Sequence, residues 1–214
     1  VKKAFVVLLA LLAVAPAVVA QGFPEPGPMA MGSQIELPLY VDGVWAEDVV
    51  FNSRIQVDMG RAYQTSTGTR QIDFVATSWE AAGYSKVLGR KVTFRLSGER
   101  QPTSTAVALG TGSDYPAILT FRATYDANIE GLTTLRGLGG LAGGQVNSLP
   151  PGVANLDVAK AIKFTDGVSQ FEFKGGKCAK DKIIANPNIP WPPTPPNPGC
   201  DHAPVLANPV ASSK

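Results

Sequence analysis

Three oxygen-bearing side chains stand at alternate positions in Asp126-Ala-Asn128-Ile-Glu130, and Gly131 is sixth in the run. That is the opening half of a calcium loop, in which such oxygens ligate a hard cation and the glycine makes the sharp turn. The twelfth position should carry a bidentate Glu, but it is Gly137, so this is no EF-hand. A looser calcium site on Asp126, Asn128 and Glu130 at a strand end is the one cofactor the sequence suggests. The competing reading is the wet face of an edge strand.

Other chemistries have less to stand on. Paired carboxylates across a cleft would suffice for glycoside hydrolysis, and Asp58, Asp73, Glu80, Asp126 and Glu130 are available. With 17 acidic residues in the chain, proximity of two would prove nothing. The chain has one histidine, His202, in a proline-dense tail, and no G-x-S-x-G accompanies it, so a Ser-His-Asp triad is not expected. Gly137-Leu-Gly-Gly-Leu-Ala142 touches the dinucleotide fingerprint but lacks the following helix that would receive pyrophosphate. No catalytic residue is assigned, and a non-enzyme is the expectation.

Trp45, Trp79, Tyr63 and Tyr84 lie near turns or strand ends, where aromatic rings could form a platform that stacks on sugars. Large aromatics in an all-β domain more often fill its core. Cys178 and Cys200 are the two cysteines, and in an oxidising compartment they form a disulfide. The alternative is a metal site of Cys178, Cys200 and His202. Zinc usually draws four ligands in paired short spacings, and no partner pair is present.

The elements that must carry these residues read as short strands. Ile35, Leu37, Leu39 and Val41 alternate on one face, and Asp42-Gly43 follows as a hairpin signal. Val92, Phe94 and Leu96 repeat the pattern. So do Leu119, Phe121, Ala123 and Tyr125, then Phe171 and Phe173. Strands that bury one face and wet the other form antiparallel sandwiches or barrels rather than parallel sheets. One all-β domain, an antiparallel sandwich or jelly roll over residues 34–176, is therefore expected. A short helix is expected over 154–164, and a mobile loop over the glycine tract Gly137 to Gly144.

Two irregular flanks complete the plan. Residues 21–33 hold three prolines and three glycines and read as a flexible arm. Residues 177–214 read as a proline-rich tail, with Trp191-Pro-Pro-Thr-Pro-Pro196 stiffened towards polyproline II. Ahead of both, Val-Lys-Lys, an apolar run from Ala4 to Ala15, and small residues to Ala20 read as a cleaved signal peptide, residues 1–20. The run is short for a membrane span, and Pro16 would break a longer helix. Secretion or a periplasmic location is expected, with no membrane span after cleavage.

Loss of Lys2 and Lys3 with that segment takes the net charge from +2 to neutral. A neutral surface lacks the cationic surplus that displaces counterions from nucleic acid, so no nucleic-acid partner is expected. Charged residues make up 17% of the chain, against roughly 25% in an average domain. Neutrality also removes a long-range barrier to self-association. The arms suit strand addition to a neighbour. The functional expectation is thus a non-catalytic structural or assembly protein of the envelope or matrix, partnered by itself or another envelope protein. The alternative is a secreted module that binds carbohydrate or another surface ligand.

Overall fold

The structure, a computed structural model, describes residues 22–151, 153–158 and 161–184, with backbone alone over 153–158 and 176–184. The signal segment, Cys200, His202 and the Trp191–Pro196 stretch lie outside the described residues. Cys178 falls in a backbone-only stretch, so its expected pairing lies outside them too.

Every regular element among the described residues is a strand. In chain order they are β1 Gly27–Val41, β2 Val44–Met59, β3 Tyr63–Gln64, β4 Arg70–Ser85, β5 Arg90–Leu96 and β6 Thr103–Ala108. There follow β7 Ala117–Ile129, β8 Thr133–Val146, β9 Val153–Val158, β10 Ile162–Thr165, β11 Gln170–Phe173 and β12 Gly176–Ile184. All pairings are antiparallel, as the alternation predicts.

The sheet closes on itself. β1 pairs with β2 along almost its whole length, and its other edge pairs with β12 over Gly32–Glu36. From β2 the ring runs through β4, then β5 and β6, then β7, β8, β9 and β12. β5 and β6 share one place in the wall, because β6 pairs with the first part of β4 and β5 with its last. The ring so formed is a small barrel, and closure hides most strand edges. A hairpin of β10 and β11 is added at one end, where β11 pairs with β1 over Leu39–Val41.

Alternation supplies the interior. On β7, Ala117, Leu119, Phe121, Ala123, Tyr125, Ala127 and Ile129 are all buried, while Arg122 and Asn128 between them are exposed. On β2 the inward set is Val49, Phe51, Ser53, Ile55, Val57 and Met59. The hairpin expected at Asp42-Gly43 is present as a two-residue turn between the paired Val41 and Val44. Both central residues have positive φ, 50° and 82°, as a type I′ turn requires. β11 clamps the turn: the Asp42 N–H donates to the Gln170 carbonyl and the Gln170 N–H to Asp42 Oδ1, each at 2.8 Å.

Several expectations are corrected. Residues 27–33, expected in a free arm, are the first part of β1 and pair with 53–59 of β2. Phe23 is tied down as well: its N–H donates to Asp114 Oδ2 at 2.6 Å and its ring meets Tyr115 edge-on at 5.2 Å. Asp114, itself buried, also holds Arg70 at 3.3 Å. At the other flank, 176–184 of the expected tail is β12, a wall of the barrel. The helix expected over 154–164 is replaced by β9 and β10, because pairing with β12 and β11 overrides a weak local preference. The glycine tract lies in β8, which pairs with β7 from Leu138 to Gly144 after a bulge at Gly137. A Cβ on Gly140 would sit 3.1 Å from the Tyr125 ring, so glycine there makes room for an aromatic rather than for motion.

Candidate functional site

The interior divides into two apolar clusters. One gathers Ile55, Val57, Phe74, Leu119 and Phe121; the other gathers Leu39, Phe51, Phe94, Phe164 and Phe173. Trp79 packs against both. Its ring lies 5.2 Å from Tyr125, 6.2 Å from Phe94 and 6.5 Å from Phe121.

A β-bulge puts Trp79 there. On β4 the buried positions are Ile72, Phe74 and Ala76, which by simple alternation would leave Trp79 outside. The pairing with β2 jumps from Val57↔Ala76 to Gln56↔Ser78, so Thr77 is an extra residue. One extra residue reverses the alternation, and Trp79 and Ala81 turn inward.

Beside Trp79 is an apolar cavity of about 50 Å³. Ile35 and Leu37 from β1, Ile55 from β2 and Phe94 from β5 line it on one side. Ala123 and Tyr125 from β7, Gly140 and Leu141 from β8 and Ile162 from β10 line the other. Among the described residues, none of its lining side chains carries a formal charge. Burial pushes the Tyr125 phenol up to about 12, so it too stays neutral. Two buried polar atoms on this interior, Trp79 Nε1 and Ser53 Oγ, have no hydrogen-bond partner among the described residues.

The cavity lies behind a weak seam. β8 pairs with β9 at Ala142 and Gly143, and no pairing to β9 or β10 is formed by its earlier residues among those described. Leu135 and Leu138 of β8 instead pack on the cluster that holds Ile162 and Phe164 of β10. Among the described residues, only side chains close this part of the wall. The β10–β11 turn beside it is held by Asp166, whose Oδ1 accepts the N–H groups of Val168 at 2.9 Å and Ser169 at 2.8 Å. Those two bonds, Ser169 first, hold the Asp166 carboxyl below its ordinary value. A depressed folded pKa adds stability that is present above the unfolded value and lost as pH falls through the folded one. Protection of the Ser169 amide, read against its intrinsic exchange rate, should therefore fall on acidification below about pH 4 in the native protein, and Asp166→Asn should remove that pH dependence.

The residues singled out in the sequence do not converge. Trp79 is inside, packed on the core that large aromatics more often fill, and the bulge turns it there. Trp45 donates through Nε1 to Asp48 at 3.1 Å near the first hairpin. Tyr84 is 61% exposed near the end of β4, and Tyr63, 44% exposed, pairs through Gln71 with its beginning. With Trp79 inside and Tyr63 and Tyr84 at opposite ends of β4, the four rings do not share one surface.

Asp126, Asn128 and Glu130 lie along the outer side of β7, beside Lys91 and Arg95 of β5. Asp126 Oδ1 accepts the Gly137 N–H at 2.9 Å, and Asn128 Nδ2 donates to Thr134 at 2.7 Å. Between the pairs Tyr125↔Leu138 and Ala127↔Leu135, β8 carries one residue more than β7, and Gly137 has a φ of 64°. Asp126 thus satisfies an amide freed by a bulge. Among the described residues no three His, Cys, Asp or Glu side chains come close enough to hold a metal. Of the other acids, Asp73 accepts from Gln71 at 2.6 Å and Tyr63 at 3.2 Å, and Glu80 pairs with Arg95 at 3.0 Å.

Fold and interior together define a closed antiparallel β-barrel with an aromatic-walled cavity whose described lining residues carry no charge. A solved protein of similar form is DynF from the dynemicin biosynthesis pathway of Micromonospora chersina, with a TM-score of 0.58 over 81% of this chain and 86% of that one. The two are 18% identical, so the likeness is one of fold. No family model and no curated protein matches the sequence.

Proposed function

We propose that this protein binds a small apolar molecule inside its barrel. One observation carries the reading: an uncharged cavity at the junction of the two core clusters, behind a seam that no strand pairing closes among the described residues. Small barrels have interiors just wide enough for side chains or for one small ligand, and a void left among packed side chains is the natural place for it.

The assembly reading draws less support, because residues 27–33, the strand that would be donated to a neighbour, pair within their own chain. The carbohydrate reading loses its platform in the same way. The expectation of export rests on residues 1–20 and belongs to this proposal unchanged.

Xenon is a suitable first probe, since apolar cavities take it up without needing polar contacts. Under xenon pressure the methyl resonances of Ile35, Leu37, Ile55 and Ile162 should shift together while those of Val168, on the exposed turn, stay put. Ala123→Leu, which fills the void, should abolish the response. Unmoved methyls in the wild-type protein would reject the binding reading.

A further inference from the structure

We infer that the seam between residues 133–141 of β8 and β10 is the way into the cavity, a gate that the Leu135 and Leu138 side chains close and that opens without breaking a strand pairing. The inference rests on the reading of the interior as a binding site and names the route to it.

The lips of the seam are also walls of the cavity. Gly140 and Leu141 line it from β8 and Ile162 lines it from β10. Most of the lining is buried; Trp79, Gly140 and Leu141 are partly exposed. Trp79 stands in a wall paired on both sides, with β2 at Ile55 and with β5 from Glu80 onward. Gly140 and Leu141 pair with Ala123 and Arg122 of β7, and their other edge meets no strand among the described residues. Among those residues, partial exposure of the lining and an unpaired strand edge coincide at the seam.

The register shows where the strands part. β8 meets β9 at Ala142↔Val158 and Gly143↔Asp157, and the same register carried on would set Leu138 opposite Ile162. β10 pairs with β11 instead. Parting two paired strands strips backbone groups of their hydrogen bonds, whereas apolar side chains separate by changing rotamer. On the β8 lip Gly137, Gly139 and Gly140 have no side chain, so the half-buried Leu135 and Leu138 supply the closure. The β10 lip is held still. Phe164 stacks on Phe171 at 5.2 Å with ring planes 14° apart, and lies 5.9 Å from Phe173, which meets Phe51 edge-on. The two leucines are therefore the moving parts. The other end of β7 and β8 is fastened differently, by the Phe23–Tyr115 ring contact, the Asp114 bonds and buried Leu149.

Leu135 and Leu138 do not line the cavity, so trimming them should change passage and not the site. With xenon as the probe on the whole protein, relaxation dispersion of the Ile35, Leu37 and Ile55 methyls below saturation gives the exchange rate, and their pressure titration gives the affinity. Leu138→Ala should raise the exchange rate about tenfold and leave the affinity unchanged. Leu135→Ala should do the same and serves if the first variant fails to fold. Leu149→Ala, an equal truncation at the far end, should leave the rate as it is. Unchanged exchange in the Leu138 and Leu135 variants overturns the gate while xenon still bound keeps the binding reading. Exchange quickened equally by Leu149→Ala overturns it too, since entry then lies at the far end or follows from general loosening. Xenon failing to enter the wild-type protein removes the binding reading and the gate with it.

Discussion

Phe51→Ala is expected to destabilise the protein by about 3–5 kcal/mol, with a fall in thermal midpoint of roughly 10 °C for a chain of this size. Phe51 is fully buried on the inward face of β2. Its ring lies 4.7 Å from Phe94 and meets Phe173 edge-on at 5.7 Å, so it ties the barrel wall to the β10–β11 hairpin. Truncation removes the buried rings' contacts and leaves a void that such a closed wall can only partly collapse. Val50→Ala, one residue away but on the outer face and 39% exposed, is the control and should change stability by no more than about 0.5 kcal/mol. Urea denaturation of both variants checks the pair. Equal losses would mean that the inner and outer faces of β2 are wrongly assigned.

Gly83→Ala should be costly for the opposite reason, overfilling. A Cβ there would lie 2.6 Å from the Val50 carbonyl oxygen and 2.8 Å from Phe51 Cδ1. The oxygen belongs to a paired strand and cannot step aside without moving the β2–β4 pairing. A loss of about 1–3 kcal/mol is expected. Gly98→Ala, with open space around it, should lie within about 0.5 kcal/mol of the parent. Because Gly83 touches both the ring and the carbonyl, Phe51→Ala should relieve only part of the strain. The double variant should therefore be less destabilised than the sum of the singles, yet less stable than Phe51→Ala alone. Strict additivity in a double-mutant cycle would show that the ring takes no part.

Much of this interior was legible in advance. Leu119, Phe121, Ala123 and Tyr125, and likewise Phe171 and Phe173, face inward as their alternation predicts, since a strand presents successive side chains to opposite faces whatever lies around it. The Asp42-Gly43 turn was legible for an equally local reason, the φ values its two residues tolerate. The candidate site was not. Trp79 reads in the sequence as an aromatic near a strand end that a core more often claims, yet simple alternation from Ile72 and Phe74 would put it outside. The cavity it borders draws one to three residues from each of seven strands scattered between Ile35 and Ile162, which no local pattern brings together. Asp126, Asn128 and Glu130 stay ambiguous in the sequence because ligand spacing and alternation on a wet strand have the same period of two.

What the amino-acid sequence determined by itself is which residues are oily, at what spacing, and where the chain can reverse; those are properties of a few neighbours and survive any rearrangement of the rest. Closure was decided by tertiary structure: β1 meets β12 across about 150 residues, and that contact turns a nominal arm and tail into barrel wall. So was the glycine tract, which reads as loose until the Tyr125 ring is seen to need the space over Gly140. The inward turn of Trp79 depends on one unpaired residue, Thr77, and a bulge forms only when a partner strand fixes the register on both sides of it. Side-chain phase is local, but the count of residues between two pairings is not.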